Sequence, residues 1–96
     1  MSVYRLTPLA RADLADIWDY SREQWGVDRA EAYIGQIRGV LDLASANPRL
    51  GRACDDIRPG YFKLIAGSHL LFYRRAGADI EVVRNRHQRM DVSRHL

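Results

Sequence analysis

Apolar residues recur along this chain first at helical spacing and then at strand spacing. Residues 3–7 (Val-Tyr-Arg-Leu-Thr) form a short strand signal that Pro8 ends. Thr7 followed by Pro8 suits a helix N-cap with proline at the first helical position. Leu9, Ala10, Leu14, Ile17 and Trp18 then make one apolar stripe, with Asp13, Asp16 and Asp19 on the other side. Gly26 fits a C-terminal cap. Asp28 with Glu31 three residues on resembles a capping box for a second helix. That helix carries Ala30, Tyr33, Ile34, Ile37, Val40, Leu41 and Ala44, and Asn47-Pro48 stops it. The short Gly26-Val27 connection predicts an antiparallel helix hairpin. Gly35 and Gly39, four apart, either admit a close neighbouring backbone or are surface glycines that weaken the helix.

Residues 48–60 have no period and hold two Pro and two Gly, which predicts a loop. Three strand signals follow at residues 61–66, 68–75 and 79–87. Ala66-Gly67-Ser68 and Ala76-Gly77-Ala78 mark tight turns between them, so an antiparallel meander is expected. Phe62, Leu64, Leu70, Phe72, Ile80 and Val82 share one parity, which predicts the face packed on the helices. Lys63, Ile65, His69, Leu71, Tyr73, Glu81, Val83, Asn85 and His87 share the other. That outer face is half apolar, which suggests either a bound partner or cover by residues 88–96.

Composition narrows the class. The chain has 96 residues, one cysteine, 47% hydrophobic and 28% charged residues. This suits one globular domain, residues 1–96, and excludes a disulfide framework or a cysteine-based zinc cluster. No signal-peptide run and no membrane span are evident, so a cytoplasmic protein is expected. The formal net charge is +3. Residues 1–48 hold five Arg against seven acids, and residues 49–96 hold nine Arg and Lys63 against five acids. The basic half predicts an acidic partner.

No phosphate loop, GxSxG, HExxH or CxxC pattern is present. Cys54 lies beside Asp55 and Asp56, which disfavour a thiolate, so a bystander role is expected. Three scattered histidines do not make a metal site. His69, mid-strand among apolar residues, is expected to be a hydrogen-bonded structural histidine. Trp18 belongs to the helix stripe. Trp25 either packs under the loop or anchors a partner. The densest charged cluster is Arg84, Arg86, His87, Gln88, Arg89, Met90, Asp91, Arg94 and His95. Three roles suit it: a solvated strand end, a partner-binding basic edge, or a nuclease site working by general acid–base chemistry. Arg84 and Arg86 are expected on one strand face, and His87 on the other with Asn85 and Glu81.

Nearly the whole chain resembles the ParE toxins of bacterial type II toxin–antitoxin systems, within the RelE/ParE superfamily. The matching stretches are Tyr4-x-Leu6-Thr7-Pro8-x-Ala10, Asp13-Leu14-x-Asp16-Ile17-Trp18-x-Tyr20 and Trp25-Gly26. Pro48-x-x-Gly51-Arg52, Asp56-Ile57-Arg58-x-Gly60-Tyr61 and Gly67-Ser68-His69-x-x-Phe72-Tyr73-Arg74 follow, then His87-Gln88-Arg89-Met90-Asp91 and His95-Leu96. The resemblance implies an α+β, two-layer β-α-α-β-β-β fold: a helix hairpin packed on an antiparallel sheet, a short C-terminal segment, and the first strand beside the last. It implies a non-enzymatic toxin that inhibits DNA gyrase and so replication. It also implies neutralisation by a ParD-like antitoxin with an acidic, amphipathic tail, in a hetero-oligomer that meets DNA only through the antitoxin. No cofactor or metal is implied. Antitoxin contacts are expected at Arg58, Lys63, Ile65, Leu71, Tyr73, Arg84, Arg86 and Arg89, and target contacts at His87, Arg89, Met90 and Arg94. RelE-like relatives are instead ribosome-dependent mRNA endonucleases, for which Lys63, Tyr73, Arg84 and His87 are the nearest candidates. The single lysine and the His95-Leu96 terminus depart from that pattern. A small nucleic-acid-binding domain is a third reading, which the modest net charge disfavours.

Overall fold

Thr7 and Pro8 open the first helix as their chemistry requires. Thr7 Oγ1 accepts from the Ala10 N–H at 3.1 Å, and Pro8 brings no N–H that would go unpaired. The computed structural model describes residues 4–87. It runs strand β1 over Tyr4–Leu6, helix α1 over Pro8–Trp25 and helix α2 over Val27–Ala46. Gly26 alone reverses the chain between the helices, at φ +89°. Its N–H closes α1 on the Arg22 carbonyl, and its carbonyl accepts from Ala30 to start α2. The expected Asp28 capping box is therefore absent. Asp28 lies inside the first turn of α2, where its charge meets the helix dipole, and no side chain caps that end. Gly35 and Gly39 are surface glycines, with nothing within 4 Å of an added Cβ at either.

The segment expected as one loop contains a two-residue strand, β2, Arg52–Ala53. Then come β3, Tyr61–Ala66, β4, His69–Ala76, and β5, Asp79–His87. The sheet order is β1-β5-β4-β3-β2. β1 pairs β5 in parallel, as the resemblance implied for the first and last strands, so the sheet is mixed. The remaining neighbours are antiparallel.

The strand faces differ from the parity expected. Gly67-Ser68 and Gly77-Ala78 are two-residue turns, with Ala66 opposite His69 and Ala76 opposite Asp79. Their glycines sit at φ +59° and +65°, in the first central position that the primed hairpin turns favour. A two-residue turn pairs even positions with odd ones. Even residues of β3 therefore share a face with odd residues of β4. Phe62, Leu64, Leu71, Tyr73, Ile80 and Val82 meet the helices' Ile17, Ile37, Leu41 and Ala44. Phe62 stacks on Tyr73 at 5.5 Å. Leu70 and Phe72, expected in this core, lie on the opposite face, where Phe72 is nonetheless fully buried. A bulge at Val83 then shifts the parity of β5, because Tyr73 pairs Val82 while Phe72 pairs Arg84.

The outer edge of β5 is closed in two ways. β1 covers residues 80–82. Beyond it, α1 takes over with side chains. Thr7 Oγ1 donates to the Val83 carbonyl at 2.9 Å, and Asn85 Nδ2 donates to the Ala10 carbonyl at 3.1 Å. Asp13 Oδ2 accepts the Asn85 backbone N–H at 2.9 Å and Arg84 Nε at 2.8 Å, while Oδ1 accepts Arg84 Nη2 at 3.0 Å.

Two stability outcomes follow from this architecture. Gly39→Ala meets open space in a helix, so it raises stability by roughly 0.5–1 kcal/mol, measured as a higher melting temperature. Asp13→Ala strands a guanidinium and a strand N–H, both largely shielded from water, and lowers stability by roughly 2–3 kcal/mol in urea unfolding. Adding Arg84→Met to Asp13→Ala recovers part of that loss, since the orphaned charge goes with it.

Candidate functional site

The side of the sheet away from the helices carries the basic surface. Three cross-strand rows build it: Tyr61–Arg74–Glu81, Lys63–Phe72–Arg84 and Ile65–Leu70–Arg86. Arg52 extends the middle row from β2. Each row sets an apolar or aromatic residue beside a cation. Ile65 is 64% exposed, so this face presents hydrocarbon to solvent as well as charge. Arg74 bonds Glu81 through Nε at 2.8 Å and Nη2 at 2.6 Å, and the hydrogen bond holds its guanidinium above the usual range. Arg84 is held in the same way by Asp13, so it serves the fold first. Arg58 is exposed on the turn between β2 and β3, where its carbonyl accepts from Tyr61 at 3.2 Å.

Two residues expected on this surface are not there. Leu71 and Tyr73 are fully buried beneath the helices, because the Gly67-Ser68 turn reverses parity. Tyr73 has a structural task instead. Its hydroxyl donates to the Pro48 carbonyl at 2.9 Å and accepts the Gly51 N–H at 2.8 Å, fastening the chain that leaves α2. Burial pushes its phenol above the usual range. A Cβ on Gly51 would meet this hydroxyl at 2.6 Å. The four nuclease candidates therefore divide, with Lys63 and Arg84 on the outer rows and Tyr73 and His87 on the helix side. Glu81 shares the outer rows with Arg84 and Arg86, not the side of Asn85 and His87, since the Val83 bulge intervenes. Arg89, Met90 and Arg94 lie outside the described residues, as does the suggested cover by residues 88–96.

A ring-lined concavity lies elsewhere, between α1, the start of α2 and the ends of β4 and β5. It encloses about 420 Å³. Five rings line it in a chain. Tyr20 meets Trp25 at 6.5 Å, Trp25 meets Tyr33 at 6.0 Å, Tyr33 meets His69 at 5.6 Å, and His69 meets His87 at 5.4 Å. Trp25 is 45% exposed at the rim, with Arg29 stacked over it at 5.9 Å. It does not lie under a loop. Trp18 is half-buried beside a shallow groove between the helices. His69 is the hydrogen-bonded histidine the sequence suggested. Its Nδ1 lies 2.6 Å from the Tyr33 hydroxyl, which also accepts the Ser68 N–H at 3.0 Å. The same hydroxyl lies 3.5 Å from the Ala66 carbonyl. Burial holds the His69 pKa below the ordinary 6.5, and nearby His87 adds to this, against a small opposing pull from Asp13.

The sequence showed Asp13 only as one of a spaced aspartate series, and Asn85 only as an outer-face residue. Their roles at the β5 edge depend on contacts across more than 70 positions of chain, which no local pattern signals. Cys54 is buried, and burial raises its thiol above the usual value, in line with a bystander. Among the described residues no group of three or more His, Cys, Asp or Glu is placed to hold a metal, and no helix is long and apolar enough to cross a membrane.

The lowered His69 value has a pH consequence. Above about pH 6.5 the imidazole is neutral in folded and unfolded chains alike. Below it the unfolded chain gains a proton that the folded chain resists, so stability falls as pH drops through the folded value. Urea unfolding at pH 7.5 and 5.5 reads this loss. His69→Gln, which keeps a polar group beside Tyr33 and does not titrate, makes it smaller.

Comparison with known proteins agrees with the fold and extends it. Residues 4–92 match the family model described as ParE toxin of the type II toxin–antitoxin system, parDE. The chain is 58% identical over 96 residues to Toxin ParE1 of Mycobacterium tuberculosis, covering 99% of this chain and 98% of the relative. It is 38% identical over 96 residues to Toxin ParE1 of Caulobacter vibrioides, covering 100% and 99%. In fold it is similar to a chain of the chromosomal ParDE system from P. aeruginosa, with TM-score 0.77, 24% identity, and 91% and 96% coverage. It is also similar to a YoeB/ParE toxin from Agrobacterium tumefaciens, with TM-score 0.62, 18% identity, and 92% and 99% coverage. A helix hairpin on a five-stranded sheet with β1 beside β5, together with identity over the full length of these relatives, leads to one conclusion: the chain belongs to the ParE toxin family of type II toxin–antitoxin systems.

Proposed function

We propose that this chain is a toxin that acts by binding DNA gyrase and is neutralised by a ParD-like antitoxin. The antitoxin's acidic, amphipathic tail lies across the outer sheet face. One observation carries the reading. That face sets exposed Ile65 and half-buried Leu70 among Lys63, Arg74 and Arg86, which suits a partner that is apolar and acidic by turns. Exposed Ile65 supplies contact area, and the cations supply orientation and association rate. Arg58 is proposed to extend the contact, and Arg89, outside the described residues, is proposed as a further antitoxin contact. Leu71 and Tyr73 drop out of it. His87, Arg89, Met90 and Arg94 are the proposed gyrase contacts.

The division of Lys63, Tyr73, Arg84 and His87 between two sides of the sheet favours binding over RNA cleavage. A general base, an acid and a phosphate-binding cation must converge on one ribose–phosphate unit, and these four do not.

Ile65→Asp and Lys63→Glu each weaken antitoxin binding by about tenfold or more. The Lys63→Glu loss shrinks at high salt, read by titration calorimetry. Unchanged affinity in both variants moves the antitoxin to another face. A purified supercoiling assay is expected to show gyrase inhibition that added antitoxin relieves. Ribosome footprints after induction are expected to show intact messages, and codon-specific cuts would support the nuclease instead.

A further inference from the structure

The helix hairpin carries a second groove, of about 550 Å³, between α1 and α2. Half-buried Leu14 and Trp18 of α1 and Ile34 of α2 line it with hydrocarbon. Glu31 stands at one end of its α2 wall and Arg38 at the other, both exposed. Seven residues make two helical turns, so the two charges share a face about 10 Å apart along the axis. They are not neighbours on the helix surface, where pairs form at three or four residues. Among the described residues neither has an ion-pair partner. Gly35 lies between them on the same wall, with nothing within 4 Å of an added Cβ. A glycine inside a helix weakens it, and no neighbour within the chain requires one here.

The order of these charges selects the occupant. An acidic segment laid along the groove meets Glu31, and a basic one meets Arg38. A partner that satisfies both presents a base and an acid two turns apart, in the opposite order, beside hydrocarbon. The α2 helix of a second copy, run antiparallel, presents that pattern. A two-fold axis in the contact plane, crossing α2 at a right angle between Ile34 and Gly35, lies midway between positions 31 and 38. It sets Glu31 opposite the partner's Arg38, and Arg38 opposite the partner's Glu31. Such a contact uses the same patch on both copies and closes at two chains. Gly35 falls beside the axis, where the missing side chain lets the two helices approach closely.

We propose that this face joins two copies of the chain in a two-fold dimer, with the α2 helices antiparallel. The two Glu31–Arg38 pairs set the register, and Leu14, Trp18 and Ile34 supply the apolar contact. The helices and the proposed antitoxin surface lie on opposite sides of the sheet. The dimer therefore leaves the outer sheet face of both copies open, and the proposal does not depend on the toxin–antitoxin reading.

The test is sedimentation equilibrium of the full chain at concentrations up to about 1 mM. The expected result is a monomer–dimer equilibrium with a Kd at or below about 200 μM, as befits a small interface. Glu31→Arg and Arg38→Glu, both at exposed positions, each weaken association by about tenfold or more. The two variants mixed in equal amounts associate within about threefold of the parent, because each then meets its complement. The double variant Glu31→Arg/Arg38→Glu recovers in the same way. Gly35→Gln has open space in the single chain, so it keeps or raises the melting temperature while weakening association by about tenfold or more. A parent chain that stays monomeric throughout overturns the proposal. So does a dimer indifferent to these changes, which uses another face, and so do single-variant losses that neither mixing nor the double variant restores. Antitoxin affinity of Gly35→Gln is expected at the parent value, and a tenfold loss there would assign the groove to the antitoxin and overturn the dimer.

Discussion

One carboxylate carries much of this structure. Asp13 sits where β1 has run out and β5 has not, and it accepts three hydrogen bonds there. A strand edge left open at that point would expose N–H groups and invite another chain. A single side chain cannot replace a strand, but Asp13 can take one in-plane N–H and neutralise the arginine beside it. Thr7 and Asn85 complete the seal from either side. The first half of α1 is thereby set against the edge of the sheet. The groove lies between the later part of α1, the start of α2 and the ends of β4 and β5.

That arrangement separates two surfaces with different chemistry. On one side of the sheet, cations alternate with apolar residues. On the other, past the helix-covered core, five aromatic and imidazole rings line a pocket. Arg84 shows how close the two are. It belongs to the outer rows by register, yet its guanidinium is committed to Asp13. Arginine at such a position adds charge to a face without being available as a free binding group. The same distinction applies to Tyr73, whose hydroxyl fastens residues 48–51 and is not open to substrate.

Much of the fold was legible locally. Pro8 and Asn47-Pro48 mark helix ends by geometry that leaves few alternatives, and the two Ala-Gly turns mark hairpins in the same way. The faces were not legible by following one parity through the meander. Each two-residue turn exchanges odd for even, and the Val83 bulge exchanges them again. A single miscounted residue moves every side chain on a strand to the other face. Following one parity puts Leu71 and Tyr73 on the wrong side for this reason, and Leu70 and Phe72 with them.

The sequence by itself determined the elements, their order and the family, because capping, periodicity and turn chemistry act over a few residues and are written in adjacent positions. It also determined that the later half would be basic. Only the tertiary structure decided which cations are free to bind and which are spent. It alone brought Asp13 to Arg84, and Tyr33 to His69, across long stretches of chain. Contacts of that kind depend on where whole helices settle against the sheet. That is fixed by packing of the assembled core, and no local spacing records it.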